Sequence, residues 1–269
     1  MDRLMRIANA LMVSALLSSC TADDGPTSAA SSIEFVPLFD GQSLDQWVGR
    51  EDLWSVEEGI ITGQTDVALA ENTFLVRDGI YRNFEVRLKY RMTTDLSNTG
   101  LQYRSRPLPG QPFVVAGYQA NIVTKHADKT FAMLFDEYGR DMMVGYGEKA
   151  RIVPDDSAEL GFRSIIESCV NSKSDIMAAQ QPFPAWNDYV IIAYENHLIH
   201  ALNGVVTLEV IDEDPRAPRE GQFALQIHRD MIMGAQFKDL EVRTLYSPPE
   251  LTDRFVVAGP ALTADGTCP

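Results

Sequence analysis

The sequence predicts an all-β fold of two packed antiparallel sheets, and three observations lead to that prediction. Several segments alternate apolar and polar side chains with a period of two, as a strand does when one of its faces is buried. Asn203 and Gly204 lie between two such segments and form the pair that favours a two-residue hairpin turn. No long amphipathic helix is evident in the same region. A stretch of about 210 residues suits one sandwich with a single core.

Individual strands follow from the alternation. The segment 84–92, FEVRLKYRM, alternates without interruption and predicts a strand with one charged, solvent-facing side. The hairpin around Asn203 and Gly204 predicts three facing pairs on one surface: Leu202 with Val205, His200 with Thr207, and Leu198 with Glu209. The opposite surface is predicted to face the core, and it carries Ile199, Ala201, Val206, Leu208 and Val210. His200 is therefore expected to point away from the core.

One long segment interrupts this pattern of strands. Residues 154–184 contain no clear alternation and are rich in small and polar side chains. We expect them to form a long loop with at most a helical turn, laid over one end or one face of the sandwich.

The N-terminus predicts export and lipid anchoring. Arg3 and Arg6 precede an apolar run that is too short for a stable membrane span. The small residues before Cys20 match a bacterial lipoprotein processing site, with a plain secretory signal as the alternative. The predicted organisation is a signal peptide over 1–19, a flexible tether over 20–32, a β-sandwich domain over 33–246 and a C-terminal extension over 247–269. The mature protein is expected in the bacterial cell envelope, held to the membrane by lipid on Cys20 and facing the periplasm or the exterior.

The charge narrows the range of partners. The whole chain has a formal net charge of -15, and removal of residues 1–19, which carry a net +1, takes this to -16. Such a surface repels phosphate backbones, so nucleic acid is not an expected partner. The negative charge has little effect on a neutral ligand, whereas it attracts a divalent cation such as calcium. Export permits a disulfide between Cys169 and Cys268, although two free thiols remain an equal alternative.

The polar faces of the predicted strands are of two kinds. Most carry mixed Lys, Arg and Glu, but a second kind is rich in amides, imidazoles and arginine. Its members are Gln102 and Arg104, Gln119 and Asn121, His200, and Gln226 and His228. Amide and imidazole groups can both donate and accept hydrogen bonds, which suits sugar hydroxyls. If these strands are neighbours, their polar faces form one concave floor for a saccharide. Taken singly, a Gln or Asn on a strand is more often a solvated or sheet-edge residue, and Arg104 is compatible with a structural ion pair.

A short acidic segment is the other candidate for chemistry. LFDEYGRD places Asp136 and Glu137 close to Arg140. These carboxylates are candidates for a general acid or base, or for oxygen ligands of calcium, and the alternative is simple solvation. Familiar catalytic signatures are missing, including G-x-S-x-G, H-E-x-x-H and the E-x-D-x-x-E of sandwich glucanases.

Nine segments taken in order resemble the bacterial 3-keto-disaccharide hydrolase family between Phe35 and Leu245. They are FVPLFDGQSLDQWV, WSVEEGIITG, YRNFEVRLKYRM, SNTGLQYRS, GYQANI, LFDEYGR, WNDYVIIAYENHLIHALNG, FALQIH and FKDLEVRTL. The resemblance implies a concanavalin-like jelly roll that acts on glycosides whose sugar carries a ketone at carbon 3. Such a ketone acidifies the hydrogen on carbon 2, so a base can remove it and expel the group on carbon 1.

The resemblance also suggests roles for the candidate residues. His228 and His200 are candidates for base and proton shuttle, with Glu137 or Asp136 as the alternative base. Arg104 and Arg140 are expected to orient the acids or to hold the ketone oxygen. Binding of hydroxyl groups is expected from Gln102, Gln119, Asn121 and Gln226. Two other functions remain open at this point: a non-catalytic carbohydrate-binding lipoprotein that uses the same face, and a structural module of the envelope.

Overall fold

A computed structural model describes residues 34–123 and 130–269. The predicted signal peptide, the tether and the lipidation site Cys20 lie outside these described residues. Within them the chain forms two sheets and one short helix, so the predicted all-β class is confirmed. Among the described residues no helix has the length and apolar character needed to cross a membrane.

The larger sheet has ten strands among the described residues. They are β1 (Val36–Pro37), β3 (Trp54–Glu57), β4 (Ile60–Thr65), β6 (Phe84–Met92), β11 (Glu148–Pro154), β12 (Phe162–Cys169), β13 (Asn187–Tyr194), β14 (His197–Leu202), β15 (Val205–Asp212) and β17 (Met233–Thr244). Their order is β12-β11-β15-β14-β13-β6-β17-β4-β3, with β1 paired to β17. Only β11 and β15 run parallel; the other pairs are antiparallel.

The smaller sheet has seven strands in the described part of the chain. They are β2 (Trp47–Val48), β5 (Thr73–Arg77), β7 (Asn98–Leu108), β8 (Gln111–Val123), β9 (Leu134–Glu137), β10 (Asp141–Val144) and β16 (Gln222–Ile227). The order is β10-β9-β8-β7-β16-β5-β2, and all pairs are antiparallel. This arrangement is a two-sheet jelly-roll sandwich, as predicted.

One apolar cluster fills the space between the sheets. Leu101 and Leu225 come from the smaller sheet, while Val86 and Phe237 come from the larger one, and all four are buried. Their partners along each strand point the other way, because successive side chains of a strand alternate between faces. The outer face of the smaller sheet is thus free to carry the polar side chains of β7, β8 and β16.

The predicted register of the β14–β15 hairpin is wrong beyond its turn. Leu202 faces Val205 as expected, but the register shifts between His200 and Ala201, and His200 faces Leu208. A bulge adds one residue to one strand, so every later pair moves by one. The extra residue is Thr207 on β15, and on β14 His200 shares the inner face with Leu198 and Leu202 and is fully buried, contrary to the expectation that it faces away.

The outer face of this hairpin is also buried, which explains why alternation misidentified the core side. Ile199, Ala201 and Val206 lie on it and pack against the tail residues Leu251 and Phe255. A disulfide between Cys169 and Cys268 holds the end of this tail, with 5.6 Å between the two Cα atoms. Of the two alternatives for these cysteines, the bridge is the one present.

The region 154–184 is more ordered than the loop that the sequence predicts. It contains β12, which pairs with β11 along its length, and the helix α1 (Lys173–Ala179). The expected helical turn is therefore present, but the expected loop is wrong for residues 162–169. β12 is an edge strand with few buried side chains, so its sequence lacks the apolar alternation of an inner strand. Ser172 caps α1 by accepting a hydrogen bond from the backbone of Asp175.

Candidate functional site

The strands that carry the amide side chains are neighbours in the smaller sheet, as the shared-floor hypothesis requires. β7 lies between β8 and β16, and Gln102 faces Gln119 across the first pair of strands. Leu101 pairs with both Ala120 and Leu225, so the three strands are in register and their polar residues share the outer face. The shared polar floor predicted from alternation is therefore present for β7, β8 and β16, whereas β14, which carries His200, belongs to the larger sheet.

The amides on this floor form a connected network. The side-chain amides of Gln102 and Gln119 are 2.7 Å apart. Gln119 Nε2 also donates to Asn121 Oδ1 at 2.9 Å and to Gln226 Oε1 at 3.3 Å. Gln102 is fully buried beneath the others and does not line the cavity above the floor. Because each amide is restrained by another, the donors and acceptors on the floor are preorganised for a ligand.

Two buried polar atoms at this floor have no hydrogen-bond partner among the described residues. They are Gln226 Nε2, a donor, and Asn98 Oδ1, an acceptor. A buried polar group without a partner typically costs about 1–3 kcal/mol. Both residues line the same cavity, so a ligand with hydroxyl or carbonyl groups would supply the missing partners.

The cavity above the floor has a volume of about 470 Å³. This is within the usual range for small-molecule sites, which runs from about 300 to 1,000 Å³. The lining residues are Asn72, Asn98, Gln119, Asn121, Thr130, Met133, Phe135, Asp136, Glu137, Tyr138, Gly139, Asp141, Leu160, Gln226, His228 and Arg229. Of the predicted site residues, the cavity thus brings together Gln119, Asn121, Asp136, Glu137, Gln226 and His228.

Glu137 is the buried carboxylate of the cavity wall. β9 pairs with β8 so that Phe135 faces Gln119 and Glu137 faces Gly117, which places Glu137 on the same outer face as the amides. Its Oε1 accepts a hydrogen bond of 2.9 Å from Asn72 Nδ2. Burial raises the pKa of Glu137 above the ordinary value of 4.5, against the opposing effects of the Asn72 hydrogen bond and of Arg229. Glu137 is therefore a stronger base than a carboxylate in water.

His228 lies just beyond the end of β16 and is only partly buried. Its Nδ1 is 2.7 Å from the backbone oxygen of Arg229, a contact that requires a proton on Nδ1. In the neutral ring Nε2 then carries the lone pair, and it can accept a proton. The backbone of the next residue is fixed as well, because Arg229 N donates to Asn72 Oδ1 at 2.9 Å.

Asp136 differs from Glu137, its neighbour in the sequence, because its carboxylate is already paired. Arg140 Nε donates to Asp136 Oδ2 at 2.8 Å, and Arg140 Nη2 lies 2.8 Å from Asp212 Oδ2. Tyr118 also donates to Asp212, and Asp214 is 3.8 Å from Arg140. Arg140 is almost fully buried and does not line the cavity, so it orients the acid Asp136, one of its two expected roles, but does not reach a position to hold a ketone oxygen or a substrate.

His200 is likewise absent from the cavity. It is fully buried in the core, with Nε2 3.0 Å from the hydroxyl of Tyr103, and Nδ1 has no partner among the described residues. Burial lowers the pKa of His200 to about 3, so the ring is neutral at physiological pH. The expected placement of His200 beside a substrate is wrong because His200 lies on the inner face of β14 with Leu198 and Leu202, while Ile199 and Ala201 form the outer face.

Arg104 is also a structural residue and not a cavity residue. Its guanidinium donates to the backbone oxygens of Arg82, Glu195 and Pro218. The register of β7 shifts between Tyr103 and Arg106, and Arg104 adopts a φ of 49°. Gly221 lies against this backbone so closely that a Cβ would be 2.4 Å from the carbonyl carbon of Arg104. The bulge therefore removes Arg104 from the face that Gln102 occupies, contrary to the predicted alternation.

Several cavity residues were not among the sequence candidates. Asn72 and Arg229 lie in connections between strands; Asn72 donates to Glu137 and accepts from the backbone of Arg229, which brings together segments far apart in the sequence. Asn98 lies within SNTGLQYRS, but a lone asparagine at a strand start carries no distinctive pattern. Within residues 34–123 and 130–269, no group of three or more His, Cys, Asp or Glu side chains is arranged to hold a metal ion.

Comparison with known structures gives the same fold. A candidate glycosyl hydrolase from Parabacteroides distasonis is 18% identical, covers 79% of this chain and 100% of its own, and gives a TM-score of 0.53. The carbohydrate binding module CBM66 from Bacillus subtilis is 15% identical, with coverages of 74% and 96% and a TM-score of 0.47. The comparison with curated proteins found no relative. The sequence pattern of the 3-keto-alpha-glucoside-1,2-lyase-like domain matches residues 34–243.

Proposed function

Because the chain belongs to the family of 3-keto-alpha-glucoside-1,2-lyase-like domains, we propose that it cleaves 3-keto-glycosides in the cavity on the outer face of the smaller sheet. One structural observation carries the proposal. Glu137, a buried carboxylate with a raised pKa, lies in the same cavity as a network of amides with unpartnered polar atoms. Perturbed carboxylates in such cavities are typical of catalytic sites.

The reaction is an elimination followed by hydration. A base removes the proton from carbon 2, and the electron pair passes toward the ketone at carbon 3 as an enolate. The enolate then expels the oxygen of the leaving group from carbon 1, which produces an enone and, with one proton, a free alcohol. Water adds to carbon 1 while a proton returns to carbon 2, so the net change is hydrolysis without any oxidant. No second carboxylate of the type that acts in ordinary glycoside hydrolysis is required.

We assign the base to Glu137. Its burial raises the pKa, and only Oε1 is hydrogen-bonded among the described residues, which leaves Oε2 for the proton. Asp136 is excluded as the base because Arg140 and the buried network bind its carboxylate. His200 is excluded because it lies within the core.

His228 is assigned to the proton that the leaving group needs. It lies at the mouth of the cavity, and its Nε2 is free to gain and release a proton while Nδ1 is held by the backbone of Arg229. A leaving sugar has a strongly basic alkoxide, so a proton donor at this position accelerates its departure. Gln226 Nε2 is assigned to the ketone oxygen, because an unpartnered donor stabilises the enolate more than it stabilises the ketone.

A labelling experiment tests the proposed chemistry. A 3-keto disaccharide with deuterium on carbon 2 is incubated with the protein, and the released 3-keto sugar is analysed by mass spectrometry. We expect loss of the deuterium in the product, after correction for exchange of the free product alone. Cleavage with the label fully retained on carbon 2 would contradict elimination. Binding of the disaccharide without any cleavage would instead favour the carbohydrate-binding alternative.

We also propose that the chain is exported and anchored through lipid on Cys20. The support comes from the sequence alone: a basic start, a short apolar run and small residues immediately before the cysteine. Metabolic labelling with a radioactive fatty acid in a bacterial host tests this. Label is expected on the wild-type chain and not on Cys20→Ser, whereas equal labelling of the two would contradict lipidation at Cys20.

A further inference from the structure

The cavity has two chemically different ends. The amide end consists of Asn98, Gln119, Asn121 and Gln226, all on β7, β8 and β16. The apolar end consists of Phe135, Tyr138 and Leu160, with Met142 facing Phe135 across the β9–β10 pair. Phe135 also faces Gln119 on its other side, so the floor changes from amide to apolar between two adjacent strands.

The side chains of the apolar end are unusually exposed for their type. Tyr138 is 55% exposed and Leu160 is 44% exposed, and Met142, which faces Phe135 on the next strand but does not line the cavity, is 43% exposed. Single exposed apolar residues are common, but a group of them around a cavity is typical of a binding site. They also come from separate segments: Tyr138 from the β9–β10 turn and Leu160 from the β11–β12 turn.

The backbone at Tyr138 supports the same conclusion. This residue has a φ of 49°, a left-handed conformation that bulky side chains rarely adopt. The turn thus holds an aromatic ring at the cavity at a conformational cost that glycine would avoid. Such strain is commonly retained at functional sites.

The amide end also has a greater capacity for hydrogen bonding than the apolar end. The amide end offers unpartnered buried atoms on Gln226 and Asn98. At the apolar end, Phe135 and Leu160 offer no strong hydrogen-bond group and Tyr138 offers one hydroxyl. The carboxylates of the same hairpin, Asp136 and Asp141, already accept hydrogen bonds from Arg140 and from the backbone of Met142. If a second sugar bound at the apolar end, several of its hydroxyl groups would lose their hydrogen bonds to water and would gain no equivalent hydrogen bonds from the protein.

The candidate base lies beside the apolar end. Glu137 lies between Phe135 and Tyr138 in the sequence and faces the same cavity as Gln119 and Gln226. A sugar held by the amides would therefore have its reacting carbons near Glu137 and its leaving group against the apolar side chains.

We propose that the apolar end binds the leaving group, and that the substrates are 3-keto-glycosides of aromatic or otherwise apolar aglycones in preference to disaccharides. This substrate class rests on the proposed function, since it assumes that the sugar at the amide end is the one cleaved. The stacking surface of Tyr138 and the side chain of Leu160 form the two walls against which a planar aglycone packs.

Two variants and one matched control test the proposal with phenyl 3-keto-glucoside and a 3-keto disaccharide. Leu160→Asn removes an apolar wall, and Tyr138→Gly removes the ring at a position where glycine relieves strain. Ile165→Asn is the control, because Ile165 is 40% exposed on β12 but does not line the cavity. We expect each test variant to raise KM for the phenyl substrate roughly tenfold or more, with a change of less than about threefold for the disaccharide. Equal effects on both substrates, or a lower wild-type KM for the disaccharide, would overturn the proposal.

Binding measurements distinguish a failure of this proposal from a failure of the proposed reaction. Calorimetry compares the unoxidised phenyl glucoside with an unoxidised disaccharide on the wild type and on Leu160→Asn. If neither 3-keto substrate is cleaved but phenyl glucoside binds more tightly and loses that advantage in Leu160→Asn, the reaction is wrong and the apolar aglycone site stands. If the disaccharide binds as tightly as phenyl glucoside, the aglycone site is wrong whether or not cleavage occurs.

Discussion

Glu137 Oε1 accepts a hydrogen bond of 2.9 Å from Asn72 Nδ2, and this bond joins segments that the sheet order keeps apart. Glu137 ends β9, whereas Asn72 precedes β5, and three strands, β8, β7 and β16, lie between them in the sheet. The hydrogen bond therefore spans the floor formed by these three strands. Asn72 also accepts from the backbone of Arg229, so one amide fixes both the candidate base and the segment next to His228.

Replacement of Asn72 should change the pH dependence of the reaction. The hydrogen bond from Asn72 lowers the pKa of Glu137, so Asn72→Ala should raise it further. A base must be ionised, and activity is therefore lost as pH falls through the pKa of Glu137. We expect the acid limb of kcat/KM to move to higher pH in Asn72→Ala. An unchanged acid limb would show that Glu137 is not the group that titrates in it.

His228→Ala should slow the reaction by a factor that depends on the leaving group. With a disaccharide, turnover should fall about a hundredfold, the usual scale for a lost acid or base. With a nitrophenyl leaving group, which departs without a proton, the loss should be much smaller. Rates measured on both 3-keto substrates test this; an equal loss on the two would assign His228 to proton abstraction or to binding.

The buried histidine should make the fold sensitive to acid. Burial lowers the pKa of His200 to about 3, below the ordinary 6.5. On acidification, the native state therefore takes up the proton at a lower pH than the unfolded state does. The free energy of unfolding is unaffected by this group above about pH 6.5 and decreases as pH falls toward 3, by about 1.4 kcal/mol per pH unit. His200→Gln stays neutral and should show a shallower loss in denaturant unfolding between pH 6 and pH 4. Identical pH slopes would contradict a neutral, buried His200.

Arg140 should contribute strongly to the stability of the fold, although it does not line the cavity. Its guanidinium compensates Asp136 and Asp212 in the interior, so Arg140→Met leaves buried carboxylates without a cation. The expected loss is about 3–5 kcal/mol in the free energy of unfolding. Arg151→Met is the matched control, because Arg151 pairs with Glu167 and Glu213 at the surface and should cost at most about 1 kcal/mol. Similar losses in the two variants would contradict the role of the buried network.

The sequence predicted the sheet floor well because alternation is a local property. Gln102, Gln119 and Gln226 each lie between inward-facing apolar residues, and all three reach the outer face of the smaller sheet. His200 failed because both faces of its hairpin are apolar and buried, so alternation could not identify the inner face, whereas Arg104 failed because it lies beside a register shift in β7. A bulge reverses the direction of the side chains that follow it, and nothing in the neighbouring residue types marks where it occurs.

The contacts that complete the site depend on tertiary structure. Asp136 and Glu137 are adjacent carboxylates, and the sequence offered no means to choose between them. Successive residues of a strand point to opposite faces, so Asp136 points toward Arg140, whereas Glu137 faces Asn72 and the cavity. The partner of Glu137 is 65 residues away, which places it beyond any local pattern.

Cleavage of a 3-keto disaccharide, compared with that of the same disaccharide before oxidation, tests the central claim most directly. We expect release of the leaving sugar from the ketone only, and a loss of at least about a hundredfold in Glu137→Gln, which keeps an oxygen to accept from Asn72. Equal cleavage of the unoxidised disaccharide, or full activity in Glu137→Gln, would contradict elimination by a carboxylate base at this cavity.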